Sequence, residues 1–297
     1  MDIRAMLAGL AFGLMWSSAF TSARMIVAEA PPLTALSLRF LVSGVIGIAI
    51  AYALGQRPRL SAAQWRATVI FGLCQNALYL GLNFIAMQTV EASLASIVAS
   101  TMPLWVALVG VSFFGQTVRP IGWLGLIAGI AGAALIMGTR VQAGADPFGL
   151  LLCAVGVASL SAATLSVRVA SGGGNRLMVV GLQMMVGSIA LLPFAMIYEF
   201  PTLDITLTPR LTIAFLYTTL IPGLLATLVW FWLVERIGAV RAATFHFLNP
   251  FFGVAIAALL LGEKIGALDI VGVAIIAAGI LAVQLSKETP QTEKRPA

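Results

Sequence analysis

The chain has 297 residues, 60% of them hydrophobic and only 9% charged, with a mean hydropathy of +1.03. A soluble domain carries about 25% charged residues, so this chain cannot cover itself with a water-facing surface and must take lipid as its solvent. Its net charge of +6 is spread between apolar runs, which argues against a nucleic-acid partner and for a topological role of the basic residues.

The predicted spans follow in chain order at Met6–Ala23, Leu33–Leu54, Trp65–Met87, Ala92–Phe114 and Ile121–Met137. Five more follow at Phe148–Val169, Leu177–Tyr198, Leu211–Leu233, Ala239–Leu261 and Ala267–Leu285. Each is near the roughly 20 apolar residues that cross a bilayer. The breaks carry turn residues, among them Pro31-Pro32, Arg119-Pro120 and Gly172–Asn175. Residues 1–19 share features with a signal peptide, but their removal would spoil the repeat described below, so the segment is expected to be retained. The tail, 287–297, is polar and expected to be disordered.

Ten spans put both termini on one side. That side carries twelve Lys and Arg and the opposite side four, with Arg39 inside a span. The excess predicts that both termini are cytoplasmic. Cys74 and Cys153 lie within apolar stretches and are expected to pack as thiols.

An internal repeat organises the chain. At an offset of 147, Pro103 falls on Pro250, Gly115 on Gly262, Gly125 on Gly272 and Gly132 on Gly279. Nearer the start of each half the offset is 144, pairing Ser17 with Ser161 and Ser22 with Ser166. The halves, 1–143 and 144–286, each hold an odd number of spans, so the second must enter the membrane from the other face. The expected fold is therefore an all-α membrane protein of ten transmembrane helices in two inverted five-helix repeats. Inverted repeats suit secondary transport, because halves of opposite orientation can exchange conformations around a shared site.

Several sequence phrases resemble the drug/metabolite transporter superfamily, specifically its ten-helix EamA-type exporters. They are Trp16-Ser17-Ser18-Ala19-Phe20, Leu38-Arg39-Phe40, and the Pro103…Gly115 and Pro250…Gly262-Glu263 stretches. The resemblance covers essentially the whole chain and is nearest to bacterial aromatic amino-acid exporters. It implies export of amino acids or related metabolites from the bacterial inner membrane, through a cavity lined largely by spans three, four, eight and nine.

Individual residues suggest how such a cavity is built. Asn76, Tyr79 and Asn83 share one face of span three, and amides facing lipid would lack partners. Ser96 and Ser100 form a stripe on span four that serves either a cavity or close helix packing. Trp16 and Ser17 in span one, Thr227 and Trp230 in span eight, and His246 and Asn249 in span nine complete the substrate-binding candidates. Aromatic faces suit a zwitterion with an apolar side chain. Pro103 and Pro250 are candidate hinges. Arg39, about 10 Å into span two, either shapes an outer gate, attracts a carboxylate, or caps loop carbonyls.

The eleven carboxylates all lie at span ends or in loops, whereas ion-coupled carriers often hold one inside the membrane. Facilitative or weakly coupled transport by a monomer is expected, the alternative being a multidrug or other metabolite exporter or a flippase for a lipid-linked metabolite. No GxxxxGK[ST] loop, HExxH or GxSxG motif occurs, so ATP-driven pumping and hydrolysis find no residues. No cofactor or metal is implied.

Overall fold

The computed structural model describes residues 3–114, 119–170 and 175–285, which are helical with no strands. The helices are α1 (Ile3–Val27), α2 (Pro32–Ala53), α3 (Ala62–Ala86), α4 (Ala92–Ala99, resuming as Met102–Phe114) and α5 (Pro120–Gln142). They continue as α6 (Pro147–Ala170), α7 (Arg176–Tyr198), α8 (Pro209–Ile237), α9 (Arg241–Leu261) and α10 (Ala267–Leu285). Nine of these segments are long and apolar enough to cross a membrane, and Ala267–Val283 is a shorter apolar stretch. The repeat partners Gly115 and Ser166, and the tail 287–297, lie outside the residues or side chains described.

Local sequence sets the helix ends. Prolines open α2, α5, α6 and α8, where a missing N–H costs nothing. Ser61 and Gln64 form a reciprocal capping box at the start of α3. The outward faces stay apolar: Leu124 and Ile127 on α5, Ile189 on α7 and Leu281 on α10 are all exposed. Such a surface is stable only against lipid.

Helix pairs linking the two halves make backbone-close contact, among them α5 with α10 and α2 with α7. A methyl group placed on Gly125 of α5 would meet the Gly279 carbonyl oxygen of α10 at 2.6 Å, and one on Gly132 would meet the Gly272 carbonyl at 3.0 Å. Along α5 the contacts ascend while along α10 they descend, so the helices run antiparallel. In the same way Ser37 of α2 donates to the Ser188 carbonyl of α7 at 3.1 Å. About two turns further along α2 and two turns back along α7, a methyl on Gly44 would sit 3.1 Å from the Gly181 carbonyl. α2 and α7 are therefore also antiparallel.

Irregular backbone recurs at the repeat offset. α3 is π-helical over Gly72–Leu80, and α8 over Thr219–Leu225. Pro222 lies inside the second π segment; with no N–H of its own it favours the wider turn. α4 breaks at Ser100-Thr101 and restarts at Met102, and α9 passes through a 3₁₀ stretch, Thr244–Leu248, before restarting at Asn249. Pro103 and Pro250 are each the second residue of the restarted helix, the position a proline tolerates best.

The glycine contacts generate a stability prediction. Gly125→Ala forces a methyl against backbone and should destabilise the protein by about 1–3 kcal/mol. Gly138→Ala, on the same helix with open space around it, should leave the melting temperature unchanged. Thermal unfolding in detergent compares the two; equal melting temperatures would refute close packing at Gly125.

Candidate functional site

α3 delivers the polar face on which the site is built. Its π turns carry Gln75, Asn76 and Tyr79, and Asn83 follows on the last regular turn. All four are buried. With Trp16, Phe20 and Ala23 of α1, Arg39 and Phe40 of α2, Met184 of α7, and Pro222 and Thr227 of α8, they enclose a narrow cavity. Its volume of about 20 Å³ has room for about one water molecule. The site is thus captured closed.

The walls come from α1, α2, α3, α7 and α8, whereas the expectation placed the cavity among spans three, four, eight and nine. α4 and α9 contribute no wall residue among those described. Their breaks bring them behind α1 instead, where Gly253 lets α9 approach α4 so closely that an added methyl would overlap Ser96 Oγ.

Of the sequence candidates, Trp16, Asn76, Tyr79, Asn83, Thr227 and Arg39 line the cavity. Trp16 and Tyr79 lie parallel, centroids 6.3 Å apart. Trp230 and His246 form a layer behind them. His246 meets Phe12, Trp16 and Trp230 edge-on at 5.2–5.5 Å, and Trp230 stacks on Phe12 at 5.0 Å. The imidazole Nδ1 lies 3.3 Å from the Asn249 amide nitrogen. His246 packs the aromatic layer and does not face the cavity.

Ser17, Ser96, Ser100 and Asn249 are structural in this conformation. Ser17 donates to Asn249 Oδ1 at 3.1 Å and Ser96 to the Asn249 carbonyl at 2.6 Å, tying α1 and α4 to α9. Ser100 donates to the Ile97 carbonyl at the break in α4. The small-residue packing alternative applies to these serines.

Sequence reading missed Gln75 and Phe12. Gln75 lies four residues before Tyr79, on the same helix face, a signal available in the sequence. Phe12 offered no signal, because an apolar residue in a span is unremarkable until its neighbours are known.

Polar atoms around the cavity are left unpartnered. Asn76 spends its amide nitrogen on Gln183, bonding both its backbone and side-chain oxygens. Asn83 donates to the Tyr79 carbonyl at 2.8 Å, leaving Oδ1 free. Gln75 Oε1 and Arg39 Nε likewise have no hydrogen bond, and the Tyr79 hydroxyl closes none of normal geometry. The Arg39 guanidinium lies over the rings of Phe40 at 4.7 Å and Phe84 at 5.8 Å. It caps no loop carbonyl, so the capping alternative from the sequence does not apply.

One end of the bundle above this cavity is tied shut by polar contacts. Arg24 of α1 donates to the Met87 carbonyl at the end of α3. Arg140 of α5 pairs with Asp269 of α10 and, at 3.1 Å, with Glu91. Glu263 accepts the first N–H groups of α4, from Ala92 and Ser93, both at 2.8 Å. Glu199 does the same for α2, accepting from Leu33 and Thr34. Carboxylates at helix N-termini answer unpaired N–H groups and the helix dipole. Each of these two joins one half of the chain to the other.

Comparison with known proteins matches both halves to one family model, described as the EamA-like transporter family, over residues 3–138 and 147–285. An uncharacterized transporter of Synechocystis sp. is 24% identical, covering 92% of this chain and 87% of the relative. The uncharacterized inner membrane transporter YedA of Escherichia coli (strain K12) is 27% identical, covering 92% of this chain and 88% of its own length. A WAT1-related chloroplastic protein of Arabidopsis thaliana is 25% identical over 90% of this chain, which spans 66% of that protein. A crystallised chain, 20% identical, has a TM-score of 0.69 over 95% of this chain and 98% of its own, a likeness of fold.

The Asn249 contacts lead to a prediction. Asn249→Ala removes the Ser17 acceptor and the His246 contact while the Ser96 bond to the backbone stays. A loss of about 1–3 kcal/mol is expected from the buried groups left unpaired, read as a lower melting temperature in detergent. An unchanged melting temperature would show that α1 is held by other contacts.

Proposed function

The chain belongs to the EamA-like transporter family, and from that premise we propose that it is a secondary transporter exporting amino acids or related small metabolites by alternating access. As a member of that family it is a multi-pass membrane protein. The observation that carries the reading is the closed cavity itself. It lies between helices of both halves and combines stacked aromatic rings with polar atoms that have no partner within the protein. Unpaired polar groups in a membrane interior are costly. A cavity that keeps them is suited to a solute that supplies the missing partners.

In this reading the chain spans the membrane ten times, in halves bounded at 1–143 and 144–286, with both termini cytoplasmic. The antiparallel glycine contacts support the inverted arrangement. Under the offset of 147, the Gly125–Gly279 contact turns into the Gly272–Gly132 contact, and under 144 the Ser37–Ser188 contact turns into Gly181–Gly44. Such exchange is what a two-fold axis in the membrane plane produces. The paired π segments and paired helix breaks supply the flexible backbone for switching between two related conformations.

With this topology the tied end faces outward, so the observed conformation is closed to the outside. The Arg24–Met87 contact, the Arg140–Glu91 pair and the Glu263 cap hold that closure and must part for release, whereas the Arg140–Asp269 pair and the Glu199 cap lie within the α5–α10 and α2–α7 pairs. No carboxylate lines the cavity among the described residues, which supports transport driven by the solute gradient and not by a proton bound at the site. The location in this reading is the bacterial inner membrane, and the protein acts as a monomer.

Exchange of radiolabelled aromatic and aliphatic amino acids in proteoliposomes tests the reading, with and without a pH gradient. Saturable exchange insensitive to the gradient is expected. Trp16→Ala and Tyr79→Ala should each weaken it by about tenfold or more, the scale of a lost stacking or cation–π contact of about 1–2 kcal/mol. If the native protein exchanges no amino acid, the substrate lies outside this class. Strong concentrative uptake driven by the pH gradient would overturn facilitative transport.

A further inference from the structure

Arg39 is a permanently charged side chain in a place that offers it no counter-charge. It is 4% exposed and lines the cavity, and among the described residues no carboxylate pairs with it. Its guanidinium carbon lies 4.7 Å from the Phe40 ring centroid and 5.8 Å from that of Phe84. Neither contact satisfies its N–H groups, and Nε has no acceptor. Neighbouring α8 leaves room beside it, since a methyl placed on Gly223 would still lie 3.8 Å from Nη2. A buried arginine with rings beside it and unspent N–H donors offers a planar fork, the geometry that matches a carboxylate.

Two unpartnered amide oxygens in the wall have the opposite character. The Asn83 amide nitrogen is committed to the Tyr79 carbonyl, so its free atom is an acceptor, and Gln75 also presents a free oxygen. Two buried amide oxygens beside the rings of Trp16 and Tyr79 form a surface for an ammonium group, by hydrogen bonds and by cation–π attraction. A single cation and free acceptors thus come from two helices, α2 and α3, onto one cavity.

We propose that Arg39 binds the carboxylate of the transported solute while Gln75 and Asn83 accept its ammonium, so that the cavity selects zwitterionic α-amino acids. This rests on the reading of the cavity as the transport site, and it gives that site a polarity. It also assigns Arg39 to substrate recognition in place of an outer gate. The rings of Trp16 and Tyr79 in the same wall take the side chain, which favours apolar and aromatic amino acids.

Counterflow of radiolabelled phenylalanine in proteoliposomes tests the assignment, using three unlabelled competitors. Phenylalanine carries both charges, phenylalaninamide lacks the carboxylate and 3-phenylpropionate lacks the ammonium. In the native protein each single-charge analogue should compete at least about tenfold less well than phenylalanine, as expected for one lost charge-assisted hydrogen bond. Arg39→Gln should abolish the preference for phenylalanine over its amide, and Asn83→Leu should abolish the preference over phenylpropionate. Melting temperatures in detergent establish that each variant is folded. If Arg39→Gln is not folded, the competitor series in the native protein decides alone. Equal competition by phenylalanine and its amide, or undiminished preference in a folded Arg39→Gln, would overturn the assignment while amino-acid transport stands. No exchange of any amino acid by the native protein would overturn the transport reading and this assignment with it.

Discussion

Close contact between backbones at glycine holds this bundle together. Two apolar helices in lipid gain little from burying leucine against leucine, because the lipid tails are equally apolar. They associate when their backbones can approach, and here α5 meets α10 and α2 meets α7 with glycine or serine at the crossing. At Gly125 and Gly279 each residue faces the other's carbonyl, with no space for a single methyl group. These contacts join the first half of the chain to the second. The remaining helices are arranged around them, and so is the cavity.

Against this rigid frame the other helices depart from regularity. α3 and α8 widen into π turns, and α4 and α9 break before a proline. Irregular backbone inside a membrane needs its polar groups satisfied by protein. The break in α9 is met by Ser96, which bonds the Asn249 carbonyl, while Ser17 secures the Asn249 side chain. The π segment of α3 carries Gln75, Asn76 and Tyr79 in the cavity wall. Irregularity thus builds the site and also supplies the places where the chain can bend.

The cavity and the tied end are two parts of one state. Carboxylates of Glu199 and Glu263 reach across from the second half to the N-termini of α2 and α4, and Arg140 joins α5 to α10 and Glu91. Of these, the Arg140–Glu91 pair lies toward the aqueous edge, where ion pairs are individually weak, while Asp269 is buried. In the proposed cycle that weakness suits a contact that must break, and the contacts within the α5–α10 and α2–α7 pairs can stay. Deeper in, the aromatic layer of Phe12, Trp16, Trp230 and His246 packs behind the cavity and fixes the ring faces offered to a solute.

How much of this was legible in the sequence follows from the physics of each feature. Span positions follow from hydropathy alone, since lipid demands long apolar runs, and helix ends follow from prolines and caps such as Ser61–Gln64. Trp16, Tyr79 and Asn83 were legible because polar or amphipathic groups within a span must find an interior. Three-dimensional packing decided the rest. Arg39 reads equally as a cap, a gate or an anion site until its neighbours prove to be ring faces and no carboxylate. Ser17, Ser96 and His246 look like ligands in sequence, yet they contact Asn249, on the neighbouring helix or one turn along their own. Gln75 lies one turn before Tyr79, so helical spacing already placed it on the cavity face, although the sequence reading did not single it out. Composition and periodicity determined that the chain spans a membrane as helices, because solvation acts on each residue by itself. Which polar atoms remain without partners is a property of pairs of helices distant in sequence, so only the tertiary structure decided it.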